Sequence, residues 1–341
     1  MGSMPERRPH IVSLGAPKYA GTPYLTTFSQ TFHFSVLPAS TRAETIAQLP
    51  SLIAEKGPID AFIIRMGTPP YEPFDAELLS ALVPECKIIA SASAGYNEFD
   101  VPWMTKSGIV FCNSVDAVAE ATADMAVWLV LSVLRNTSNA ERSARAGKWR
   151  GGLVPVRDPG GLTLGIVGMG AIGKYLAKKA KVFGLRVAYH NRTRLAEAEE
   201  KACNATYYDG LHELLAKSDV VSVNCPLNAE TENLISTAEF AAMKDGAFFI
   251  NTARGAIVDE AALKDALTSG KIARAGLDVL CNEPNVDPWF LEQDNVIVQP
   301  HLGGLTDVAF QKAERECFEN IRAFLEKGKA NSPVNADEVR R

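Results

Sequence analysis

One glycine-rich loop restricts the folds open to this chain more than any other feature. Gly168, Gly170 and Gly173 have the spacing G-x-G-x-x-G at the end of the segment LTLGIVGMGAIG. An apolar run typical of a strand precedes the loop, a helical pattern follows it, and a second apolar run stands at Arg186–Tyr189. Such glycines allow a tight strand-to-helix turn, close approach of the backbone to a pyrophosphate, and close helix–strand packing. The order therefore predicts a dinucleotide-binding unit, with the N–H groups of Ala171 and Ile172 at the helix start facing phosphate oxygens.

The end of the second strand indicates which dinucleotide binds. An NAD site usually has an acid about 20 residues beyond the glycines, where it binds the ribose 2′-hydroxyl. Here the segment reads VAYHNRTR and holds no acid. Arg192, Thr193 and Arg194 would attract and hydrogen-bond a 2′-phosphate, with the neutral Asn191 beside them. We therefore predict a preference for NADP(H) over NAD(H), although a solvated basic loop has the same composition.

Composition excludes several classes of protein. A length of 341 residues predicts two domains, and a net charge of −5 does not indicate a nucleic-acid or membrane surface. The six cysteines show no C-x-x-C spacing, which predicts reduced core thiols in a cytoplasmic protein and no metal site. We expect no apolar run near the ~20 residues of a membrane helix and no secretory signal. Residues 1–3 precede a second methionine and are left out of the fold prediction.

Alternating strands and helices predict two parallel α/β sheets with helices on both faces. In the first part we expect four strands and two helices: strands His10–Leu14, Ala61–Ile64, Lys87–Ala92 and Ile109–Cys112, and helices Thr41–Lys56 and Ala76–Leu82. A long helix, Ala117–Arg145, should follow, and its apolar part, Ala121–Leu134, predicts burial between domains or subunits. In the second part we expect six strands, at Leu164–Val167, Arg186–Tyr189, Val220–Asn224, Ala247–Asn251, Ala273–Asp278 and Val296–Gln299, with the clearest helix at Asp259–Ser269. The last helix, Asp307–Lys327, falls outside that sheet. Residues 1–116 and 305–341 should therefore form a discontinuous substrate domain, and residues 117–304 the dinucleotide-binding domain.

Three polar motifs follow the fourth, fifth and sixth strands of the second part, at the edge where such sheets bind ligands. They are NTARG with Arg254, DVLCNEP with Glu283, and QPHLGG with His301. Arginine offers a fixed fork to a carboxylate or carbonyl oxygen. Histidine is a natural proton donor near neutral pH, and a glutamate on its far nitrogen would fix the tautomer. Each residue alone has an ordinary structural explanation, but together they predict a catalytic triad.

With GMGAIG, NTARG, AGLDV…NEP and PHLGG in this order, the chain resembles the D-2-hydroxyacid dehydrogenase family over nearly its whole length. AGLDVLCNEPNV and NIRAFLEKGK are most similar to fungal D-mandelate dehydrogenase-like, 2-ketoacid reductase members. The resemblance implies two Rossmann-like domains, one flavodoxin-like and one dinucleotide-binding, with the active site in the interdomain cleft. It implies that Arg254 binds the substrate carboxylate and carbonyl, that His301 is the acid/base and that Glu283 is its partner. The reaction would be the NADPH-dependent reduction of a 2-keto acid to a D-2-hydroxy acid.

The resemblance also implies binding residues outside the triad. Ser93, Ala94 and Gly95 would form the substrate loop, with the Ala94 and Gly95 amides on the carboxylate. Ser93 departs from the glycine of many relatives. Met66 and Gly67 would line the R-group pocket, with Trp103 or Trp149 as candidates for an aromatic wall. The remaining predicted cofactor residues are Thr122, Cys225, Pro226, Thr231, Thr252, Ala253, Asp278, Gly303 and Gly304.

Alternatives remain open within and beyond this family. A glyoxylate/hydroxypyruvate reductase would differ only in the size of the R group, and we favour a bulky aromatic or branched one. Formate dehydrogenases have Gln at the position matching Glu283, which argues against that activity. A cofactor-sensing corepressor would keep the triad but usually has long disordered tails and an NAD-type acid. The apolar helix, together with the dimers of the family, predicts a homodimer.

Overall fold

The computed structural model describes residues 7–339. Residues 1–3, which the fold prediction does not include, lie outside this range. The chain forms two compact units. We call residues 7–118 together with 306–339 the terminal unit, and residues 119–305 the central unit.

The terminal unit contains a sheet of five parallel strands made from short apolar runs. The strands are β1 (His10–Leu14), β2 (His33–Leu37), β3 (Ala61–Ile64), β4 (Ile88–Ser91) and β5 (Val110–Cys112). Their order is β2-β1-β3-β4-β5, which is the flavodoxin-like order. All but β2 are buried at every position, as expected for parallel strands that helices cover on both faces.

The prediction of four strands in this part of the chain is wrong, because it omits β2 and the preceding helix, α1 (Thr22–Thr31). β2 lies at the edge of the sheet, and only Ser35 and Leu37 are buried in it. Such an edge strand has no continuous apolar run for sequence analysis to detect. The next helices are α2 (Arg42–Lys56), α3 (Ala76–Leu79), which continues into a 3₁₀ turn, and α4 (Val101–Lys106).

The predicted long helix is broken into two. The apolar helix α5 (Val115–Arg135) ends before Asn136, whose left-handed φ of +53° separates it from α6 (Thr137–Arg145). By length and composition α5 could cross a membrane, contrary to the expectation that no apolar run approaches that length. Its residues Ala126, Leu129 and Val133 are fully buried in the core of the central unit. These contacts are those of a core helix.

The central unit contains a parallel sheet of seven strands with helices between them. The strands are β6 (Thr163–Val167), β7 (Arg186–His190), β8 (Ala205–Tyr207), β9 (Val220–Val223), β10 (Ala247–Asn251), β11 (Ile272–Leu277) and β12 (Val296–Val298). The helices are α7 (Ala171–Val182), α8 (Glu197–Cys203), α9 (Leu211–Lys217), α10 (Thr237–Ala242), α11 (Glu260–Thr268) and α12 (Pro288–Glu292). The order β8-β7-β6-β9-β10-β11-β12 is the Rossmann order with one added strand. The prediction of two Rossmann-like α/β sheets is therefore confirmed.

The prediction of six strands in this sheet is wrong, since it omits β8. Like β2, β8 is an edge strand, and none of its three residues is fully buried. The three polar motifs consequently follow the fifth, sixth and seventh strands of the sheet, β10, β11 and β12, rather than the fourth, fifth and sixth.

The chain returns to the terminal unit with α13 (Asp307–Lys327) and α14 (Ala336–Val339). The buried face of α13, with Ala313, Cys317 and Phe318, packs in one core with Ile63 and Ala90 of β3 and β4. All six cysteines are free; four of them are buried and two are half-buried.

Candidate active site

The glycine loop joins β6 to α7, and each glycine has its own structural reason. Gly168 has a φ of +100°, and a Cβ there would lie 2.5 Å from the Cys225 backbone N. A Cβ at Gly173 would lie 2.6 Å from the Gly168 carbonyl O. A Cβ at Gly170, the N-cap of α7, would meet no atom within 4 Å. The start of α7 is therefore open, and its backbone N–H groups fit a dinucleotide pyrophosphate.

Asn191 connects the glycine loop to the end of β7. Its Oδ1 accepts a hydrogen bond of 2.6 Å from Met169 N. Gly168 N donates to the His190 carbonyl O at 3.0 Å. From the sequence Asn191 is only a neutral neighbour of two arginines, whereas in the structure its side chain holds the loop backbone.

The two arginines of the predicted 2′-phosphate site have different partners. The Arg192 side chain is 82% exposed, and its Nη1 lies 2.5 Å from Oε2 of the exposed Glu230. Arg194 donates from Nε and Nη2 to the two carboxylate oxygens of Glu200, each at 2.8 Å. These bonds, with another from the Tyr189 hydroxyl, lower the pKa of Glu200 to about 2. Both arginines are therefore paired with protein carboxylates, which was not predicted, but Glu200 is buried and Glu230 is exposed. Arg192, Thr193 and Arg194 are all exposed themselves.

Other predicted cofactor residues lie on the loops after β9 and β10. The Thr231 hydroxyl donates to the Pro226 carbonyl O at 2.7 Å and so closes the loop after β9. The Thr252 hydroxyl donates to Asn224 Oδ1 at 3.4 Å, which links the two loops. Burial raises the pKa of the Cys225 thiol to about 11, so this cysteine is neutral. Contacts of these residues with a cofactor stay a prediction.

Arg254 lies directly after β10 and begins a short 3₁₀ helix, Gly255–Ile257. Asn251 supports this loop, because its Oδ1 accepts from Ala253 N at 3.0 Å and its Nδ2 donates to the Arg254 carbonyl O at 2.9 Å. A Cβ at Gly255 would lie 2.1 Å from the Leu280 carbonyl carbon. Only glycine therefore lets the Arg254 loop approach the loop that carries Glu283.

The structure brings the predicted acid/base and its carboxylate together: His301 Nδ1 and Glu283 Oε2 are 2.8 Å apart. Glu283 Oε1 accepts from Leu280 N at 2.9 Å. Burial alone would raise the pKa of Glu283, but the hydrogen bonds from His301 and Leu280 and the charges of His301 and Arg254 hold it below its ordinary value. An ionised carboxylate can only accept hydrogen bonds, so Nδ1 of His301 carries the proton and Nε2 is left for other partners.

Asp278, predicted as a cofactor residue, supports the His301 loop. Its carboxylate oxygens accept from Leu302 N and Gly303 N at 2.8 Å each, and its carbonyl O accepts from His301 N at 2.8 Å. Burial raises the pKa of Asp278 above its ordinary value. A Cβ at Gly303 would lie 2.9 Å from Asp278 Oδ2 and 3.1 Å from Thr122 Cγ2. These contacts fix the backbone at His301, whose φ is +56°.

The predicted substrate loop follows β4 in the terminal unit. The carbonyl O of Ser93 accepts from Ser114 N at 3.0 Å, and that of Ala94 accepts from Asn113 Nδ2 at 2.6 Å. Ser93 Oγ lies 2.7 Å from Ser91 Oγ. The loop is thus held through the carbonyl groups of Ser93 and Ala94 and through the Ser93 hydroxyl and N–H, which both contact Ser91 Oγ.

The remaining predicted substrate residues have different environments. Met66 is half-buried against the core of the terminal unit, and Gly67 is exposed with a φ of +92°. Trp103 packs against the core, whereas Trp149 is 74% exposed. Contact of these residues with a substrate stays a prediction.

Comparison with known proteins gives the same family throughout. The family model for the NAD binding domain of D-isomer specific 2-hydroxyacid dehydrogenases matches residues 127–303. The dehydrogenase efuE of Hormonema carpetanum is 60% identical over 96% of this chain and 82% of its own length. The glyoxylate reductase structure from Paecilomyes thermophila has a TM-score of 0.90 at 37% identity, covering 98% of this chain and 100% of that one. The holo D-mandelate dehydrogenase of Rhodotorula graminis has a TM-score of 0.90 at 35% identity, covering 96% and 98%.

The family model covers more than half of the chain, and its matched region holds the glycine loop, Arg254, Glu283 and His301. The chain therefore belongs to the D-isomer specific 2-hydroxyacid dehydrogenase family and is an NAD(P)-dependent oxidoreductase.

Proposed function

We propose that this protein uses NADPH to reduce a 2-keto acid, R–CO–COO⁻, to the D-2-hydroxy acid. The observation that carries the proposal is the 2.8 Å contact between His301 Nδ1 and Glu283 Oε2, beside the Arg254 loop. These groups stand at the carboxyl ends of β10, β11 and β12, the edge at which open α/β sheets bind ligands.

His301 and Glu283 supply the proton that the reaction consumes. The oxygen of the ketone becomes a hydroxyl, and protonated His301 can donate to it from Nε2 because Glu283 holds Nδ1–H. The charge on Glu283 stabilises the imidazolium, as the buried aspartate does in serine proteases. NADPH, when bound, supplies the hydride that completes the two-electron reduction.

Arg254 orients the substrate. Its guanidinium can bind the carboxylate and the carbonyl oxygen, since its donors form a planar fork. The backbone N–H groups of Ala94 and Gly95 are proposed as the second holder of the carboxylate. The hydrogen bonds from Ser114 and Asn113 to the loop carbonyls support that role, because they fix the backbone that presents those N–H groups.

The preference for NADPH is supported by the end of β7, which carries no acid that would repel a 2′-phosphate. Arg192 is exposed there, and Glu230, with which it forms an ion pair, is itself exposed. A surface pair of this kind is worth little and is easily exchanged for a phosphate. We therefore assign the 2′-phosphate to Arg192 and Thr193, with Arg194 kept on Glu200.

We favour a large R group, aromatic or branched, over the small groups of glyoxylate and hydroxypyruvate. The D-mandelate dehydrogenase named above supports the large group, and the glyoxylate reductase, equally similar in structure, supports the small one. The test is initial rates at 340 nm with NADPH and NADH on glyoxylate, hydroxypyruvate, 4-methyl-2-oxopentanoate, phenylpyruvate and phenylglyoxylate. We expect NADPH-dependent turnover of the large acids. Turnover of glyoxylate alone would support the alternative, and silence across the panel would refute the proposal.

We also propose a homodimer that covers an apolar patch on the central unit. Trp128 of α5 is 44% exposed, and the half-buried Val127 and Leu131 of the same helix lie near Phe183, which is 41% exposed at the end of α7. Contiguous apolar patches on soluble proteins mark interaction surfaces. Light scattering should give twice the 36.8 kDa of the chain, and a monomer at micromolar concentration would contradict the proposal.

A further inference from the structure

Arg65 directly follows β3, and its guanidinium makes no hydrogen bond or ion pair with any of residues 7–339. The Nε atom is buried and makes no hydrogen bond. Among residues 7–339, no carboxylate or aromatic ring is paired with this side chain. A buried donor on a charged group without an acceptor is unfavourable for folding, so the position calls for an explanation.

Two other buried side-chain nitrogens in the described part of the chain lack a hydrogen bond, and both have compensating contacts. Arg322 Nε lies 3.7 Å from a carboxylate oxygen of Glu319, and its guanidinium stands over the Phe28 ring. His10 has a partner for its other ring nitrogen and stacks on His33. Arg65 differs from both, because no carboxylate, carbonyl or ring in the described part of the chain is paired with its guanidinium.

The Arg65 guanidinium is seated at the carboxyl edge of the sheet of the terminal unit. A Cβ at Gly15 would lie 2.4 Å from Arg65 Nε and 2.7 Å from Nη2, so the guanidinium packs directly on the Gly15 backbone. Gly15 N donates to the Leu37 carbonyl O at 2.8 Å, and the Ser13 hydroxyl donates to the Gly15 carbonyl O at 2.8 Å. The backbone against which the guanidinium packs is therefore fixed by hydrogen bonds, unlike the surroundings of an ordinary surface arginine.

Arg65 lies at the same edge of the sheet as the proposed substrate residues. Strand register pairs Ile64 with Leu14 on one side and with Ser91 on the other. Arg65 is thus the first residue beyond β3, with Met66 and Gly67 after it and the Ser93 loop after the neighbouring strand. The residue is partly exposed, so part of it reaches solvent at this edge.

We infer that Arg65 binds a second acidic group of the substrate, so that the R group of the 2-keto acid ends in a carboxylate. This inference rests on the proposed reductase activity and replaces the preference for an apolar R group with a preference for a charged one, so that the substrates are 2-keto dicarboxylic acids. A carboxylate can accept two parallel hydrogen bonds from the two Nη groups of Arg65, since only Nε is among the buried unpaired atoms. An apolar R group would leave those Nη groups without a charged partner. A carboxylate has the same branched shape as an isopropyl group. The preference for a branched R group therefore does not distinguish these two groups, whereas the charge of Arg65 does.

The test compares substrates that differ only in this group. Oxaloacetate and 4-methyl-2-oxopentanoate form one pair, and 2-oxoglutarate and 5-methyl-2-oxohexanoate form the other. In the wild-type protein we expect kcat/KM for the dicarboxylate to exceed that of its partner roughly 10- to 100-fold in at least one pair, as for a charged hydrogen bond. Arg65→Met should abolish that ratio, and Arg65→Lys should keep part of it. Arg8→Met is the matched control, since Arg8 donates to backbone carbonyls elsewhere in the same unit, and it should keep the wild-type ratio.

Binding of the same pairs, measured by calorimetry, separates the two proposals. One outcome is that the wild-type protein binds the dicarboxylate more tightly than its partner, that Arg65→Met loses this difference, and that neither acid is turned over. This outcome would refute the reductase activity and support the Arg65 site. Turnover with a preference for the isopropyl member in both pairs would support the reductase and refute the Arg65 site. The same ratio of kcat/KM, dicarboxylate over isopropyl partner, in wild type and Arg65→Met would also refute the site. If the variants do not fold, the wild-type ratios alone test the site: a ratio near one or below it in both pairs refutes it.

Discussion

The close approach at Gly255 predicts that a single added methyl group will disable catalysis without removing cofactor binding. In Gly255→Ala the new Cβ would lie 2.1 Å from the Leu280 carbonyl carbon and 2.3 Å from Cys281 N. Ordinary contact begins at 3.4 Å, so the two loops must separate by about 1.3 Å, the difference between 3.4 and 2.1 Å. Both obstructing atoms belong to the backbone, so no side-chain rotation can relieve the overlap.

The size of the effect follows from what the two loops carry. One loop holds Arg254 and the other holds Glu283, and a misplacement of about 1 Å at a reacting centre costs about 100-fold in rate. We expect kcat to fall by roughly that factor. Overpacking of this kind costs about 1–3 kcal/mol, which corresponds to a fall in Tm of roughly 2–12 °C.

The assay measures kcat and KM for the preferred 2-keto acid, the Kd of NADPH by fluorescence titration, and Tm. The Kd should change much less than kcat, since the glycine loop follows a different strand, β6, and only Thr252 and Ala253 of the predicted cofactor residues lie on the displaced Arg254 loop. Gly160→Ala is the matched control, because a Cβ there would meet no atom within 4 Å and its φ is not in the left-handed region. Wild-type kcat in folded Gly255→Ala, or an equal loss in Gly160→Ala, would refute the reasoning.

Three further predictions follow from the site and the fold. Arg192→Asp should lower kcat/KM for NADPH roughly 10- to 100-fold and improve that for NADH, whereas Arg194→Gln should leave the cofactor ratio nearly unchanged; an unaltered ratio in Arg192→Asp would contradict the 2′-phosphate assignment. The lowered pKa of Glu283 means that its contribution to stability is present above the ordinary value of 4.5 and is lost as the pH falls through the lowered value. The difference in Tm between wild type and Glu283→Gln should therefore shrink as the pH is lowered below 4.5, and a difference that grows on acidification would contradict the prediction. Asn136→Val should cost about 1–2 kcal/mol by thermal unfolding, because a β-branched residue must adopt the left-handed φ of +53°; an unchanged Tm would show that the left-handed backbone at this position does not require Asn.

The parts of the fold that sequence analysis predicts are those in which one property is repeated along the chain. Strands buried on both faces appear as continuous apolar runs, and β1, β3 and β10 match their predicted bounds. The two strands that were missed, β2 and β8, are edge strands in which burial is partial. Their positions depend on pairing with β1 and β7, which is information from another part of the chain.

The candidate site shows the same division. Arg254, Glu283 and His301 are predictable because each follows a strand in a recognisable motif. The pairing of Arg194 with Glu200 was not predicted, because basic side chains beside a cofactor site are expected to bind phosphate whether or not a carboxylate lies near them in space. The unpartnered state of Arg65 could not be predicted at all, since it depends on which groups are absent around the folded side chain.

The position of α13 has a consequence for synthesis on the ribosome. This helix covers Ile63 and Ala90, residues of two strands that are translated more than 200 residues before it. During that interval the whole central unit emerges and can fold by itself, as domains generally do during translation. Of the described helices made before α13, only α1, through Phe28, and the start of α5, through Ala117, pack in the core on this face of the terminal sheet. Nascent chains stalled before residue 307 should therefore bind holdase chaperones through the terminal unit. The synthesis of this unit begins first and ends last.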